Sequence, residues 1–484
     1  MLNQTANNDH LGAKSFIKNM FSFSLATWVG AAISFIATPI ITRVFITEEM
    51  GKINLFFTYA ALLEYIALFA MNQGYMRFHR DYQARGEQEK LFRTCLAVSI
   101  SSTCLVSIIV FLFWEKVSLL IIGTAGILIP SCLCLYLLTR VFMTMSNCAY
   151  RMDMKVIMFS VQAIIINIAQ KISYIFAGLS VPDAKTAIIY LTVCNLGVFI
   201  TFFFIQRKFI FCGGFGLLGA VETKEIIKYS APMIPALLLS YLNTSMPSLL
   251  LNKYIDFSAV GVYGAAVTLV QIITLIQTGF NVFWTPYVYK NYDSNKNQIQ
   301  TVHKIIAFIM PVVGICILIL LDVIYLFLGP SYRASKPYFG FMLISPILYT
   351  IAETTGLGIN VYKKTYINIF VTSITVISNF ILCIILIPRY GSTGAAIAVC
   401  CSSWAMYISK TFWGEKLYSV VTNWKYTYGG PIIFLVSAII NIALNGENLI
   451  RIISLCCCGI ALIILYRDQV SYLIKVFISF FHKE

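Results

Sequence analysis

Three charged side chains lie inside long apolar stretches of the sequence, where a charge is unusual. Glu64 lies near the middle of its stretch, whereas Lys171 and Glu353 lie further from the centre of theirs. A charge at mid-membrane costs about 2.5–3.5 kcal/mol on insertion scales, so each needs a charged partner or water. A carboxylate there can bind and release a proton or a sodium ion, and a cation can hold an anion. These residues indicate a water-filled chamber within a membrane protein.

Four further charged residues lie at the ends of apolar stretches. Arginine matches phosphate geometry better than lysine because its guanidinium donates two parallel hydrogen bonds. The cations predicted to hold an anionic substrate headgroup such as pyrophosphate are Arg43, Arg77, Arg140 and Lys171. The carboxylates predicted to serve in ion coupling are Glu64, Glu353 and Asp322. The alternative for the residues at the ends is that they extend to the lipid headgroups and only anchor the helices.

The apolar stretches that carry these residues fill the chain. Hydrophobic residues make up 59% of the 484 residues and charged residues 11%. At ~20 residues per membrane-spanning helix, about fourteen spans fit, and no gap is wide enough for a soluble domain. The fold class is therefore an all-α integral membrane protein, and the first span, which has no cleavage site after it, is expected to be retained. The predicted spans are 19–42, 53–76, 92–114, 118–139, 156–178, 186–206, 229–251, 259–284, 304–328, 337–360, 366–387, 392–413, 428–445 and 450–466.

The basic residues are distributed unequally between alternate connectors. The net charge is +15, with 25 cations on the side that includes the N-terminus and 9 on the other. Such an asymmetry marks the cytoplasmic side of a membrane protein. It places both termini in the cytoplasm and predicts an even number of spans. The positive net charge is then explained by the orientation of the protein in the membrane and by contact with anionic lipids, rather than by binding of nucleic acid.

The chain repeats itself weakly at an offset of 210 residues. Residues 41–45 fall on 251–255, and span one falls on span seven in the same orientation. We therefore predict two six-helix lobes, related as parallel repeats around a central cavity, followed by an additional helix pair. The predicted segments are 1–206 for the N-terminal lobe, 207–228 for a cytoplasmic linker, 229–413 for the C-terminal lobe, and 414–484 for helices 13–14 and a cytoplasmic tail.

Polar residues spaced by about four follow one face of each of these two repeated helices. The residues predicted to line the cavity are Ser34, Thr38, Thr42, Asn243, Thr244, Ser248 and Asn252. Prolines also interrupt the same helices, at Pro39 in the first and at Pro232, Pro235 and Pro247 in the seventh. Broken helices persist in membranes where protein or water satisfies the freed backbone groups, so we predict bends in these two helices.

Signatures of enzymes and of metal sites are missing from the sequence. The glycine-rich stretch 213–219 has Ala220 where a P-loop requires lysine, which argues against nucleotide hydrolysis. The four histidines are scattered, and all fourteen cysteines lie in spans or on the cytoplasmic side, so no disulfide is expected. We expect no catalytic residue, no metal and no cofactor.

Three segments resemble the polysaccharide-export flippases of the Wzx type, within the superfamily of multidrug and oligosaccharidyl-lipid exporters. They are 31–43 (AAISFIATPIITR), 48–51 (EEMG) and 72–78 (NQGYMRF). Arg43 and Arg77 stand at positions similar to those of the family. The resemblance implies flipping of an undecaprenyl-pyrophosphate-linked oligosaccharide across the bacterial inner membrane, driven by a proton or sodium gradient.

The resemblance also implies membrane lipids and polysaccharide polymerase machinery as partners. Two alternatives stay open from the sequence. One is a cation-coupled exporter of small amphipathic drugs, which would need more carboxylates at mid-membrane. The other is a membrane-embedded glycan polymerase or ligase, which would need a long outer loop, whereas the outer connectors here are short.

Overall fold

The computed structural model describes residues 28–211 and 216–481; for 208–211, 282, 283, 290 and 476–481 only the backbone is described. Within these residues the secondary structure is helical and contains no strand. The chain divides into two compact units, Met1–Ser245 and Met246–Glu484. The predicted lobe and linker boundaries stay predictions. Residues 19–27 of the first predicted span and 212–215 of the predicted linker lie outside the described residues.

The helices of the first unit correspond to the predicted spans, except that 53–76 and 118–139 are each divided between two helices. The long ones are apolar enough to cross a membrane, whereas the helices of 9, 11 and 14 residues are too short to do so alone. They are α1 (Trp28–Val44), α2 (Thr47–Ala67), α3 (Met71–Ala84), α4 (Gln88–Leu112), α5 (Trp114–Ile122), α6 (Leu128–Met152), α7 (Val156–Ser180), α8 (Ala184–Phe211), α9 (Ala220–Ser230) and α10 (Met233–Tyr254), which runs across the unit boundary.

The second unit continues in the same manner. Its helices are α11 (Phe257–Asn291), α12 (Lys296–Ile319), α13 (Leu321–Phe327), α14 (Phe339–Thr355), α15 (Leu357–Val361), α16 (Tyr366–Leu417), α17 (Trp424–Ala443), α18 (Asn448–Leu465) and α19 (Arg467–Phe481), with a 3₁₀ turn at Pro330–Ser335. Helix α16 contains the non-helical residue Gly391 (φ 55°, ψ −134°), which separates the segments predicted as spans 366–387 and 392–413.

Ten helices in the described residues are long and apolar enough to cross a membrane, or eleven if the bent pair α2–α3 is one span. The predicted count of fourteen is therefore not confirmed. The difference lies in α1 and α14, which are apolar but shorter, and in α16, which counts once despite its interruption. The multi-pass membrane character of the chain holds at either number.

The sharp bend in the first unit lies in a helix without proline. Helices α2 and α3 meet at 43°. Phe69 and Ala70 adopt the left-handed conformation there, with φ of 50° and 51°. Each such non-glycine residue costs roughly 1–2 kcal/mol. The described helices α1 and α10 continue through Pro39 and Pro247 without an interruption, and the bends predicted at these prolines stay predictions. A break does precede α10, at Ala231 and Pro232.

One central helix organises the packing in each unit. Helix α6 packs against α2, α4, α7 and α8, and 61% of its most apolar window is buried, the largest share among the spanning helices described. In the second unit α14 packs against α11, α12, α16 and α17, and nearly all its residues are buried. Helices α6 and α14 correspond under the 210-residue offset, being spans four and ten.

The turns that follow these central helices have the same geometry. After α6, Met154 (φ 55°) is left-handed, and the backbone N–H of Lys155 donates to the carbonyl of Tyr150. After α15, Lys363 (φ 57°) is left-handed and the N–H of Lys364 donates to Ile359. Both turns are Schellman motifs, in which a left-handed residue satisfies the last helical carbonyls. Met154 and Lys363 are 209 positions apart, one fewer than the offset of the internal repeat, which stays a prediction.

Candidate functional site: two buried acid–base pairs

The first unit holds an ion pair between its bent helix and its central helix. Arg140 Nε lies 3.3 Å from Glu64 Oε2, and the hydroxyl of Thr144 donates to Glu64 Oε1 at 2.7 Å. Arg140 and Thr144 are four residues apart and therefore share one face of α6. The side chains of Glu64 and Arg140 are 14% and 27% exposed. Both carboxylate oxygens thus have a donor, and one of the donors is a full positive charge.

The position of Arg140 corrects the sequence analysis. The predicted span 118–139 would place Arg140 at a membrane surface. The structure instead interrupts that stretch after Gly123 (φ 73°), and α6 begins at Leu128, so Arg140 lies in the middle of its helix. Arg140 lies twelve residues into a 25-residue helix, so its side chain reaches neither end of the helix. It contacts Glu64 instead.

The ion pair lies one turn from the bend in span two. The carbonyls of Ile66 and Leu68 accept from the backbone N–H groups of Phe69 and Met71 at the bend, and serine hydroxyls of α4 donate to them as well. Ser99 Oγ lies 3.0 Å from the Leu68 carbonyl oxygen, and Ser102 Oγ lies 3.2 Å from that of Ile66. A break within a membrane helix is tolerated where its backbone groups find such partners within the protein. Strained backbone held by its surroundings is typical of functional sites.

The second unit contains a comparable pair on its own central helix. Lys410 Nζ of α16 lies 2.6 Å from Glu353 Oε1 of α14, with side chains 11% and 18% exposed. The ammonium also lies 5.1 Å from the centre of the Tyr349 ring, within range of a cation–π interaction. The indole nitrogen of Trp284 donates to the Glu353 carbonyl at 3.3 Å. Lys410 lies near the end of the predicted span 392–413, and the structure places it within α16.

A glycine makes room for this lysine. A Cβ at Gly356 would lie 2.6 Å from Lys410 Cε and 2.9 Å from Lys410 Cγ. One turn along α16, a Cβ at Gly414 would lie 2.2 Å from the Thr355 carbonyl oxygen. Small residues allow membrane helices to approach closely. The close contact between the end of α14 and α16 therefore brings the stem of Lys410 against the backbone and directs its ammonium to Glu353.

Asp322, predicted to serve in ion coupling, belongs to a different cluster. Its carboxylate is paired with Lys336 and with Arg451, and Arg451 Nη1 also donates to Asn441 Oδ1 at 2.9 Å. The amide of Asn441 donates in turn to the carbonyls of Lys336 and Pro337. Arg451 is 1% exposed. This network joins α17 and α18 to the start of α13, and it favours a structural role for Asp322.

The predicted headgroup cations do not converge in the described structure. Arg43 is exposed at the end of α1. The side chain of Arg77 on α3 is 58% exposed, 3.9 Å from Asp81 and 5.8 Å from the centre of the Phe78 ring. Lys171 is half-buried on α7, with its ammonium 5.9 Å from the Tyr174 ring. Only Arg140 among the four is brought to a predicted carboxylate. The substrate-binding role of all four stays a prediction.

The threonine hydroxyls of the polar stripe on α1 donate hydrogen bonds to backbone carbonyls of the same helix. The hydroxyl of Thr38 donates to the Ser34 carbonyl at 2.7 Å, and that of Thr42 to the Thr38 carbonyl at 2.9 Å. Thr38 and Thr42 are 6% and 5% exposed. In α10, Thr244 is exposed and donates to the Tyr241 carbonyl. The half-buried members of the two stripes are Ser34, Asn243, Ser248 and Asn252.

One buried polar centre was not anticipated from the sequence. His303, one of the four scattered histidines, is 1% exposed within α12. Its two ring nitrogens lie 2.8 Å from Thr354 Oγ1 and 2.9 Å from Thr427 Oγ1. A periodicity argument would have placed His303 on the buried face with Ala307. Among the residues described, no three His, Cys, Asp or Glu side chains converge as a metal site would require.

These features define an all-helical multi-pass membrane protein with the fold of flippases and multidrug transporters. Similar solved structures include "Lipid II flippase MurJ, inward closed conformation", with a TM-score of 0.72 and 16% identity over 93% of this chain and 99% of that one. An inward-facing multidrug resistance MATE family transporter of the MOP superfamily gives a TM-score of 0.61 and 15% identity over 80% and 94% of the two chains. The MATE multidrug transporter DinF-BH gives a TM-score of 0.59 and 13% identity over 84% and 96%.

The chain belongs to the polysaccharide biosynthesis protein family, whose model matches residues 16–291. This confirms the family indicated by the resemblance of the three sequence segments. No curated protein matches the sequence closely.

Proposed function

We propose that this protein translocates an undecaprenyl-pyrophosphate-linked oligosaccharide from the cytoplasmic to the outer leaflet of the bacterial inner membrane. The observation that carries the proposal is the match to the polysaccharide biosynthesis family over 16–291, on a chain whose fold is similar to that of a lipid II flippase. A lipid II flippase moves a lipid-linked substrate, and we propose the same class of substrate for this protein.

The two acid–base pairs are the proposed coupling elements. Glu64 has Arg140 as its charged partner, and Glu353 has Lys410. A proton or a sodium ion that binds the carboxylate competes with the basic partner, so the pair opens when the ion binds and closes when it leaves. An ion gradient can drive transport only if the inward-facing and outward-facing conformations bind the ion with different affinity. The acid–base pairs must therefore have different geometry in the two conformations.

Arg77 is the proposed first contact of the pyrophosphate. The contact between its exposed guanidinium and Asp81 is long, so Arg77 is available to a phosphate without breaking a strong ion pair. Under the proposed topology, with both termini in the cytoplasm, α3 lies on the cytoplasmic side, where the cargo enters. Arg43 at the end of α1 would meet the headgroup at the outer side.

The test is glycolipid accumulation in cells whose only exporter is this protein. Arg77→Ala should lose most export and accumulate lipid-linked oligosaccharide on the inner leaflet, whereas Arg77→Lys should keep part of it, since charge is retained but the two-pronged geometry is lost. Arg80→Ala, an exposed arginine on the same helix, is the matched control and should export normally. Equal accumulation in Arg77→Ala and Arg80→Ala would show that Arg77 only anchors α3.

The second candidate function is ion-coupled export of amphipathic cations, which the similarity to MATE transporters favours. Purified protein in proteoliposomes separates the two. A flippase moves a labelled lipid-linked oligosaccharide between leaflets and leaves its covalent structure unchanged, whereas a drug exporter moves a fluorescent cationic dye. Dye transport without glycolipid movement would overturn the proposal.

A further inference from the structure

A cavity of about 290 Å³ opens at the turn between α6 and α7 in the first unit, where the end of α8 packs alongside. One water needs roughly 10–15 Å³ on this measure, so the cavity admits a group considerably larger than water. It is separate from the Glu64–Arg140 pair. The lining residues are Ala149, Tyr150, Asp153, Lys155, Met158, Ile205 and Gln206.

The turn holds the charged side chains of the cavity in a fixed arrangement. Met154 in its left-handed conformation reverses the chain directly after α6, so Asp153 and Lys155 flank it. Asp153 Oδ1 lies 3.3 Å from Nε2 of the buried His79, and Asp153 Oδ2 lies 2.8 Å from Lys155 Nζ. The carboxylate is thus occupied on both oxygens, while the Lys155 side chain stays 53% exposed.

Two buried polar atoms of the cavity lack a hydrogen bond of normal geometry within the described structure. They are the hydroxyl of Tyr150 and Oε1 of Gln206, and both residues are 5% exposed. The Tyr150 hydroxyl has the side chains of Gln206 and Ser146 as near polar neighbours in poor alignment, so a hydroxyl bound between them would complete their hydrogen bonds. A hydroxyl donates and accepts, whereas an amide oxygen only accepts. A ligand that satisfies both must itself carry a donor and an acceptor.

The surroundings of the cavity are basic and apolar together. Arg151 precedes the turn and Arg207 follows Gln206 in α8, and both are exposed. With Lys155 they outnumber Asp153, the acidic group that lines the cavity. The exposed side chains of Met154 and Ile205, 58% and 49% exposed, add an apolar border. Basic pockets between membrane helices on the cytoplasmic side bind anionic lipid headgroups.

We propose that this cavity binds the phosphoglycerol headgroup of an anionic phospholipid in the cytoplasmic leaflet. Lys155 and the flanking arginines hold the phosphate. A glycerol hydroxyl donates to Gln206 Oε1, and another accepts from the hydroxyl of Tyr150. Met154 and Ile205 contact the start of the acyl chains. The proposal rests on the cytoplasmic orientation given under the proposed function, and the bound lipid is a resident of the site rather than the transported cargo.

The experiment measures lipid retention rather than transport, so its failure is distinct from failure of flipping. The full-length protein is purified in detergent and analysed by native mass spectrometry after incubation with phosphatidylglycerol, phosphatidic acid, phosphatidylethanolamine or glycerol 3-phosphate. Wild type should retain phosphatidylglycerol at least tenfold more than phosphatidylethanolamine and several-fold more than phosphatidic acid, which has the phosphate without the hydroxyls.

Variants assign the retention to the cavity. Lys155→Gln combined with Gln206→Leu should reduce phosphatidylglycerol retention about tenfold, and Tyr150→Phe, which removes only a hydroxyl, about threefold. Lys90→Gln, an exposed lysine at the start of α4 that is ion-paired with Glu87, should leave retention unchanged. The cavity assignment is overturned if Tyr150→Phe and the double variant both retain lipid as wild type does. Equal retention of phosphatidic acid would overturn the headgroup assignment, and equally strong binding of glycerol 3-phosphate, which carries the headgroup without acyl chains, would overturn a lipid as the ligand.

Discussion

Removing one member or both members of the Glu64–Arg140 pair separates its structural contribution from its role in transport. At 3.3 Å and an effective dielectric constant of about 20, the gross attraction between the charges is ~5 kcal/mol. Desolvation offsets part of it, and the 27% exposure of Arg140 allows partial relief by water. We therefore expect Glu64→Gln and Arg140→Gln each to lower the free energy of unfolding by about 2–4 kcal/mol, because each leaves one charge without its partner.

The double variant Glu64→Gln with Arg140→Gln removes both charges and keeps a hydrogen-bond acceptor for Thr144. Its free energy of unfolding should return to within about 1 kcal/mol of wild type, which is the non-additivity expected of residues in contact. Stability is measured by unfolding in lipid nanodiscs, and export by accumulation of lipid-linked oligosaccharide in cells. If the carboxylate serves in coupling, the double variant is stable and does not export. Export at the wild-type level from a stable double variant would refute the coupling role.

Two further predictions concern the backbone near the central helices. Gly356→Ala should destabilise the second unit by about 1–3 kcal/mol, because its Cβ would meet the stem of Lys410, and Gly459→Ala, with open space around its Cβ, should be neutral or stabilising. Thermal unfolding of both variants decides this, and equal melting temperatures would contradict the packing argument. Met154→Gly should raise the free energy of unfolding by about 1 kcal/mol, since glycine adopts φ 55° without a Cβ clash, and a lower value would show that the Met154 side chain contributes more than the strain it carries.

The charged residues show what a single sequence predicts and what it does not. The position of Glu64 in an apolar stretch was sufficient to predict that it needs a partner. Its partner Arg140 was misplaced because 118–139 is continuously apolar, and the interruption after Gly123 depends on one left-handed glycine. Lys410 illustrates the same limit. Its pairing with Glu353 depends on how closely α14 and α16 approach, which hydropathy does not encode.

The polar stripe of α1 shows that the spacing of polar residues alone does not distinguish a water-exposed helix face from a buried one. Ser and Thr spaced by four predict one helical face, and Ser34, Thr38 and Thr42 do lie along α1 in that register. A threonine hydroxyl can donate to the carbonyl four residues before it, so it needs neither water nor a ligand. Burial of Thr38 and Thr42 follows from packing against the rest of the first unit.

The bend in span two has a consequence for how the protein is made. Nothing in the sequence around Phe69 and Ala70 breaks a helix, and Ser99 and Ser102, whose hydroxyls add hydrogen bonds at the bend, belong to α4. During synthesis α2 and α3 leave the ribosome before α4 exists. We therefore expect this segment to enter the bilayer as one straight helix and to bend only when α4 docks against it. The geometry beside Glu64 is then acquired after insertion, as a late step of assembly within the lipid.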